Sequence, residues 1–237
     1  AAPETGKPLV DMVLDKAGQK GTGKWTAQIA LDLAIPIPTI AAAIDARVLS
    51  SMKEERLRAA RQYGHSGVKA CSGDKQKFIS AVKNALYAAK VCSYAQGMSL
   101  IRAGSAEYKW NIDLRETARI WKAGCIIRAR LLNSIMEAYE RRPDLTNLLL
   151  DGEFQNEVTA GESDWRHVIA IASSMGVPIP AMSASLAYFD SYTSAQLPQN
   201  LTQAQRDYFG AHTYQRADRP DAGFVHTDWQ VLLRGKK

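Results

Sequence analysis

The stretch Asp74 to Arg102, DKQKFISAVKNALYAAKVCSYAQGMSLIR, decides the fold class. Phe78, Val82, Ala85, Leu86, Ala89, Cys92 and Tyr94 recur at steps of three and four residues, the spacing that lines one face of a helix. No proline interrupts the run, so it reads as one long helix. Beyond it, Asp113 or a neighbour caps a second helix, in which Ile120, Trp121, Gly124, Ile127, Leu131, Leu132, Ile135 and Tyr139 keep the period until Pro143. No segment alternates between hairpin turns, so a sheet is not expected. The fold class is all-α.

A faint internal duplication supports this. Trp25-x-x-x-Ile29-Ala30 leads to Ile35-Pro36-Ile37-Pro38, and Trp165-x-x-x-Ile169-Ala170 leads to Val177-Pro178-Ile179-Pro180. In each copy the first proline is expected to end one helix and the second to sit in the first turn of the next, where a missing N–H costs nothing. Before Trp165 lies the helix around Trp121 to Tyr139, with no room for its equivalent before Trp25; a duplicated domain then has its start upstream of Ala1.

Composition narrows the function. With 237 residues, 46% hydrophobic and 23% charged, the chain can bury a real core. No apolar run approaches the ~20 residues a membrane helix needs, and the N-terminus has no signal-peptide pattern, so a soluble, cytoplasmic protein is expected. Cys71, Cys92 and Cys125 with His65, His167, His212 and His226 form no ligand spacing, so no metal is expected. The net charge of +6 calls for an anionic partner. Basic residues are interleaved with acids, as in Lys53-Glu54-Glu55-Arg56, which points to a small anion and away from nucleic acid.

Three cationic segments are candidates for that anion. Ala17 to Thr26, AGQKGTGKWT, nearly spells a P-loop, but Trp25 stands where a magnesium-binding Ser or Thr is required, so nucleotide hydrolysis is rejected. Pro8 to Lys16 reads as a short helix ahead of it. The glycines leave room for an anion to approach the backbone, with Lys20 and Thr22 as donors; the competing reading is a Gly-rich helix C-cap followed by a solvated lysine. Ala46 to Arg56, ARVLSSMKEER, carries Arg47 in an apolar context, expected half-buried against a carboxylate such as Asp45 or Glu54. Arg206 to Tyr214, RDYFGAHTY, holds Arg206, which could simply pair with Asp207, on a helix capped by Thr202 and closed by Gly210 beside His212.

Together these three segments, in this order, resemble the C-terminal, all-helical domain of 6-phosphogluconate dehydrogenase, with the likeness running from about Pro8 to about Trp229. The resemblance implies that Lys20, Thr22 and Arg47 bind the substrate phosphate, and that Arg206 and His212 reach into the active site of the other subunit of a homodimer. It implies residues 1–215 as the substrate-binding and dimerisation domain and 216–237 as an arm laid over the partner, with Gly223-Phe224-Val225-His226-Thr227-x-Trp229 in family style. The family's catalytic lysine and glutamate and its dinucleotide fingerprint lie upstream of the matched region, so no catalytic residue is assigned here. The implied reaction is oxidative decarboxylation of 6-phosphogluconate to ribulose 5-phosphate in the pentose phosphate pathway, with NADP held mainly by the upstream domain. Many relatives end in a glycine-rich tail near the cofactor; this chain ends QVLLRGKK, and its cofactor contacts are left unassigned. The alternative is a non-catalytic helical dimerisation or adaptor module of the same fold.

Overall fold

The computed structural model describes residues 4–18, 20–64 and 73–234. Gln19, His65 and Cys71 lie outside the described residues, as do the last three of the chain. The helices are α1 (Gly21–Asp32), α2 (Pro38–Ser51), α3 (Lys53–Tyr63), α4 (Lys75–Glu107), α5 (Leu114–Ile120), α6 (Leu131–Arg141), α7 (Gly152–Ser174), α8 (Pro180–Thr193), α9 (Gln199–Gly210) and α10 (Trp229–Arg234). Two compact units result, Ala1–Phe189 and Asp190–Lys237.

The first unit is built around α4. Asp74 caps it, accepting from the N–H groups of Gln76 and Lys77. Its buried face is mostly alanine: Ala81, Ala85, Ala88, Ala89 and Ala95, with Val91, Cys92 and Met98. Small side chains let α7 pack closely, and a Cβ added at Gly161 on α7 would sit 3.5 Å from Asn84 Cβ. Leu86, assigned to the apolar face, is 58% exposed. It follows Ala85 by one position, about 100° round the helix from the face the alanines define.

The second long helix is broken in two. Asp113 caps α5, accepting from Glu116 N–H at 3.0 Å, but the helix ends at Ile120 and resumes only at Leu131. Gly124 lies between them with φ 68°, a left-handed residue no helix contains. Tyr94 of α4 donates to the Ile127 carbonyl in this irregular segment. The helical period survives in α6, whose Leu131, Leu132, Ile135 and Tyr139 are buried. Asp151 then caps α7 while receiving Arg141 Nη2 on both oxygens at 2.9 Å.

The duplication is present at the level of individual backbone bonds. In α1 to α2, Ile35 N–H donates to Ala30 O at 2.8 Å, and in α7 to α8, Val177 N–H donates to Ala172 O at the same distance. The penultimate residues, Ala34 (φ 53°) and Gly176 (φ 70°), are both left-handed. Each helix thus ends at this turn, before the first proline, while Pro38 and Pro180 open the next helices as expected. The tryptophans diverge: Trp165 is fully buried beside Phe189, whereas Trp25 is 64% exposed. A polar bridge joins the copies through α4. Thr39 N–H donates to Gln96 Oε1 (3.0 Å), Gln96 Nε2 to Thr39 Oγ1 (2.8 Å), and Thr39 Oγ1 meets Ser185 Oγ (2.9 Å).

The second unit holds α9 and a hairpin of β1 (Tyr214–Arg216) and antiparallel β2 (Arg219–Val225). The hairpin corrects the expectation of no sheet. Its strands are short, irregular in register after Gln215 and mostly exposed, so they carry no alternating pattern. Thr202 is also not the cap of α9; it lies inside the helix, which starts at Gln199 after Pro198.

Candidate functional site

Lys20 and Thr22 sit at the start of a helix. Pro8 opens a single 3₁₀ turn, Leu9–Met12, where a longer helix was expected; α1 begins at Gly21 with Lys20 as its N-cap. This corrects the C-cap reading of the glycine run. No side chain caps α1, so its first turn presents backbone N–H groups and the positive end of the helix dipole beside Lys20 and Thr22. The glycines have packing roles. A Cβ at Gly21 would lie 3.0 Å from the Trp25 ring, and one at Gly23 would lie 3.1 Å from Ile44 Cγ1 on α2.

Arg47 joins this helix start. Its Nη2 donates to Gly18 O at 2.7 Å, two residues before Lys20. The residue is exposed, and its bonded partner is a carbonyl where a half-buried carboxylate pairing was expected. A carbonyl leaves the guanidinium's charge uncompensated. The same α2–α3 face grips the preceding residues. Ala17 N–H donates to Ser50 Oγ at 3.0 Å, Asp15 accepts from Lys53, and Asp15 Oδ2 accepts from Arg56 at 3.1 Å. Lys53 and Arg56 together hold the Asp15 carboxyl below the usual carboxylate range. The staple from Asp15 to Gly18 thus ties Arg47 to the segment just ahead of Lys20 and Thr22 in the chain.

Thr22 also lines a groove of about 990 Å³ whose walls include Trp25, Ile29, Tyr94, Leu100, Trp110 and Trp121, and Lys90 and Arg128 line it too. Lys90 and Arg128 were not singled out in the sequence, where each is one cation among many. Among the described residues no group of three or more His, Cys, Asp or Glu side chains is placed to hold a metal.

Arg206 and His212 belong to the second unit. Arg206, one turn before the end of α9, donates to Gln203 Oε1 at 2.9 Å and not to Asp207. His212 is exposed and sits between two left-handed residues, Ala211 (φ 50°) and Thr213 (φ 63°). Asp207 is fully buried and accepts hydrogen bonds from Thr213 N–H (2.9 Å) and His226 Nδ1 (3.0 Å) on Oδ1, and from Thr227 N–H (3.0 Å) and Trp229 Nε1 (2.9 Å) on Oδ2. Burial opposes its ionisation, yet the donors of Thr227, His226, Trp229 and Thr213 outweigh it and hold the carboxyl well below its ordinary range. Sequence reasoning treated Asp207 only as a partner for Arg206. The available signal was a carboxylate in the last turn of a helix, the end where negative charge is disfavoured.

Comparison with known proteins agrees with this architecture. The family model described as 6-phosphogluconate dehydrogenase, C-terminal domain, matches residues 1–229. The chain is 55% identical over 227 residues to the decarboxylating 6-phosphogluconate dehydrogenase of Synechocystis sp., covering 96% of this chain and 47% of that protein. It is 54% identical over 226 residues to the NADP(+)-dependent decarboxylating enzyme of Bacillus subtilis, covering 95% and 48%. The solved Plasmodium falciparum 6-phosphogluconate dehydrogenase, studied in its apo form, with NADP+ and with 6-phosphogluconate, superposes with a TM-score of 0.89 at 46% identity, over 96% of this chain and 48% of that one. The chain spans about half the length of the curated relatives it matches. By the near-complete match to its model, the chain belongs to the family of 6-phosphogluconate dehydrogenase C-terminal domains.

Proposed function

We propose that this chain is the substrate-anchoring and assembly half of an NADP-dependent, decarboxylating 6-phosphogluconate dehydrogenase that converts 6-phosphogluconate to ribulose 5-phosphate. The observation that carries the reading is the uncapped N-terminus of α1 with Lys20 and Thr22 on it and Arg47 tied to Gly18 beside it. Helix-end N–H groups, a lysine, a hydroxyl and a guanidinium fork are the donor set a phosphate monoester takes. Two cations held near a positive helix end repel one another, and a bound dianion relieves that repulsion. The phosphate does not react. Its binding energy positions the sugar carbons where hydride and carbon dioxide leave.

Arg206 and His212 complete the site from a second copy of the chain, in a homodimer. The exposed apolar groove along α1 and α4 and the aromatic arm support assembly, since surfaces of that kind are covered in stable proteins. NADP, when bound, accepts the hydride; the described residues hold no strand, glycine loop and helix in succession that would cradle a dinucleotide, so the cofactor is assigned to the other half of the enzyme. No described helix is long and apolar enough to cross a membrane, and the cytoplasm is the assigned compartment, although relatives from Arabidopsis thaliana include chloroplastic forms.

The test is calorimetric binding to protein carrying both halves. Arg47→Ala and Arg206→Ala should each weaken 6-phosphogluconate by about 2–5 kcal/mol, the scale for truncating one partner of a desolvated charge pair. Unphosphorylated gluconate should be affected far less. Equal losses for the two ligands, or none, would overturn the assignment.

A further inference from the structure

We infer that Asp207 is a positioning residue for the substrate site, fixing His212 and Arg206 by holding the α9 end, the His212 loop and the C-terminal arm on one buried carboxylate. The inference rests on the assignment of Arg206 and His212 to substrate.

Asp207 and Arg206 are neighbours near the C-terminal end of α9, so their side chains leave the helix about 100° apart. Asp207 turns inward and Arg206 outward. Fixing the first sets the rotation of the turn that carries the second. His212 has no regular structure to hold it. Its two flanking residues, Ala211 and Thr213, both adopt left-handed backbone without being glycine, a conformation that persists only where surroundings enforce it. The Thr213 N–H bond to Asp207 Oδ1 is that enforcement on the C-terminal side of the histidine. On the N-terminal side, the loop folds back until Gly210 lies under the imidazole, where an added Cβ would be 3.1 Å from Nε2.

The remaining donors come from beyond the hairpin. Thr227 N–H and Trp229 Nε1 share Oδ2, and His226 Nδ1 shares Oδ1 with Thr213. Loop and arm are thus clamped by one group. A carboxylate is required, because four donors converge on two oxygens. An asparagine offers a single oxygen, and its NH₂ would face two N–H donors in a buried space.

The test uses protein carrying both halves, with 6-phosphogluconate as the varied substrate. Asp207→Asn should raise KM at least tenfold and change kcat less than threefold. In an Arg206→Ala, His212→Ala background the same substitution should change KM less than twofold, because there is nothing left to position; a general loss of structure would add its effect in both backgrounds. Asp207→Glu keeps the charge and moves the oxygens by one methylene. It should raise KM by a smaller factor, and it carries the test if the Asn variant does not fold. Unchanged KM in the foldable Asp207 variants, alongside a raised KM for His212→Ala, would overturn the positioning role alone. Unchanged KM for His212→Ala and Arg206→Ala would overturn the substrate-site reading and this inference with it.

Discussion

The matched turns of the two copies allow a substitution to be worked out in both directions. Ala34 and Gly176 occupy the same place, after α1 and after α7, with φ of 53° and 70° and with the same 2.8 Å bond closing each turn. A Cβ built on Gly176 meets nothing within 4 Å, so Gly176→Ala changes the backbone's preference and no contact. Left-handed backbone costs an L-residue roughly 1–2 kcal/mol. Alanine recovers about 0.4–1 kcal/mol of this by restricting the unfolded chain. The net loss is about 1 kcal/mol. Ala34→Gly runs the other way and should stabilise by a similar amount. In urea titrations followed by circular dichroism, with m of about 2 kcal/mol/M, the midpoints should move by about 0.5 M in opposite directions with m unchanged. A neutral or stabilising Gly176→Ala would refute the reasoning, as would a destabilising Ala34→Gly. Neither residue belongs to the proposed substrate site, so neither should alter substrate affinity.

Other outcomes follow from the same structure. The 237-residue chain assayed alone should not reduce NADP with 6-phosphogluconate, since no catalytic acid or base is assigned to it; turnover above a blank by the purified chain refutes this. Cys92 is fully buried and its thiol is pushed up to about 12 by burial, whereas Cys125 is half-buried. Maleimide at neutral pH should therefore modify Cys125 well before Cys92 in native protein, with Cys92 reacting on unfolding. The Asp207 carboxyl titrates lower in the folded protein than its unfolded value near 4, so its contribution is complete above that value and lost as pH falls through the folded one. Amide exchange at Thr227 should be insensitive to this group between pH 5 and 8 beyond the intrinsic rate, and protection should fall below about pH 4. Protection that is unchanged down to pH 2 would contradict it.

The long helix and the duplication were legible because their signals are local and periodic. Asp74, the alanine face of α4 and the paired Trp and Pro-x-Pro segments each act over one or two turns of chain. The break between α5 and α6 was not legible, because Ile120, Trp121 and Ile127 keep a helical period through residues that are not helical; only Gly124 marked the left-handed step. The hairpin was missed since Tyr214–Arg216 pairs mostly exposed residues and needs Asp207, on another element, to hold the strand ends. Arg47 shows the limit of reading burial from neighbours: Ile44 and Val48 flank it, yet it projects to the exposed side of α2 and finds the Gly18 carbonyl, 29 positions away.

The two groups of site residues share one construction. Lys20 and Thr22 stand just beyond a segment stapled by Ser50, Lys53 and Arg56, and His212 stands in a loop stapled by Asp207; in each, the cationic or polar side chain itself remains exposed. Stapling the backbone while leaving the donor free suits a site for a highly charged ligand. A lysine or arginine already neutralised by a protein carboxylate would have to break that pair before meeting phosphate, and the exchange would return little. Asp15 and Asp207 follow the rule from the other side. Both carboxylates are engaged by groups other than Lys20, Arg47 and Arg206, so the acids nearest in sequence to Lys20 and to Arg206 do not compete for them. The net charge of +6 is in this sense local as well as global, with the cations that matter left uncompensated where a substrate dianion would arrive.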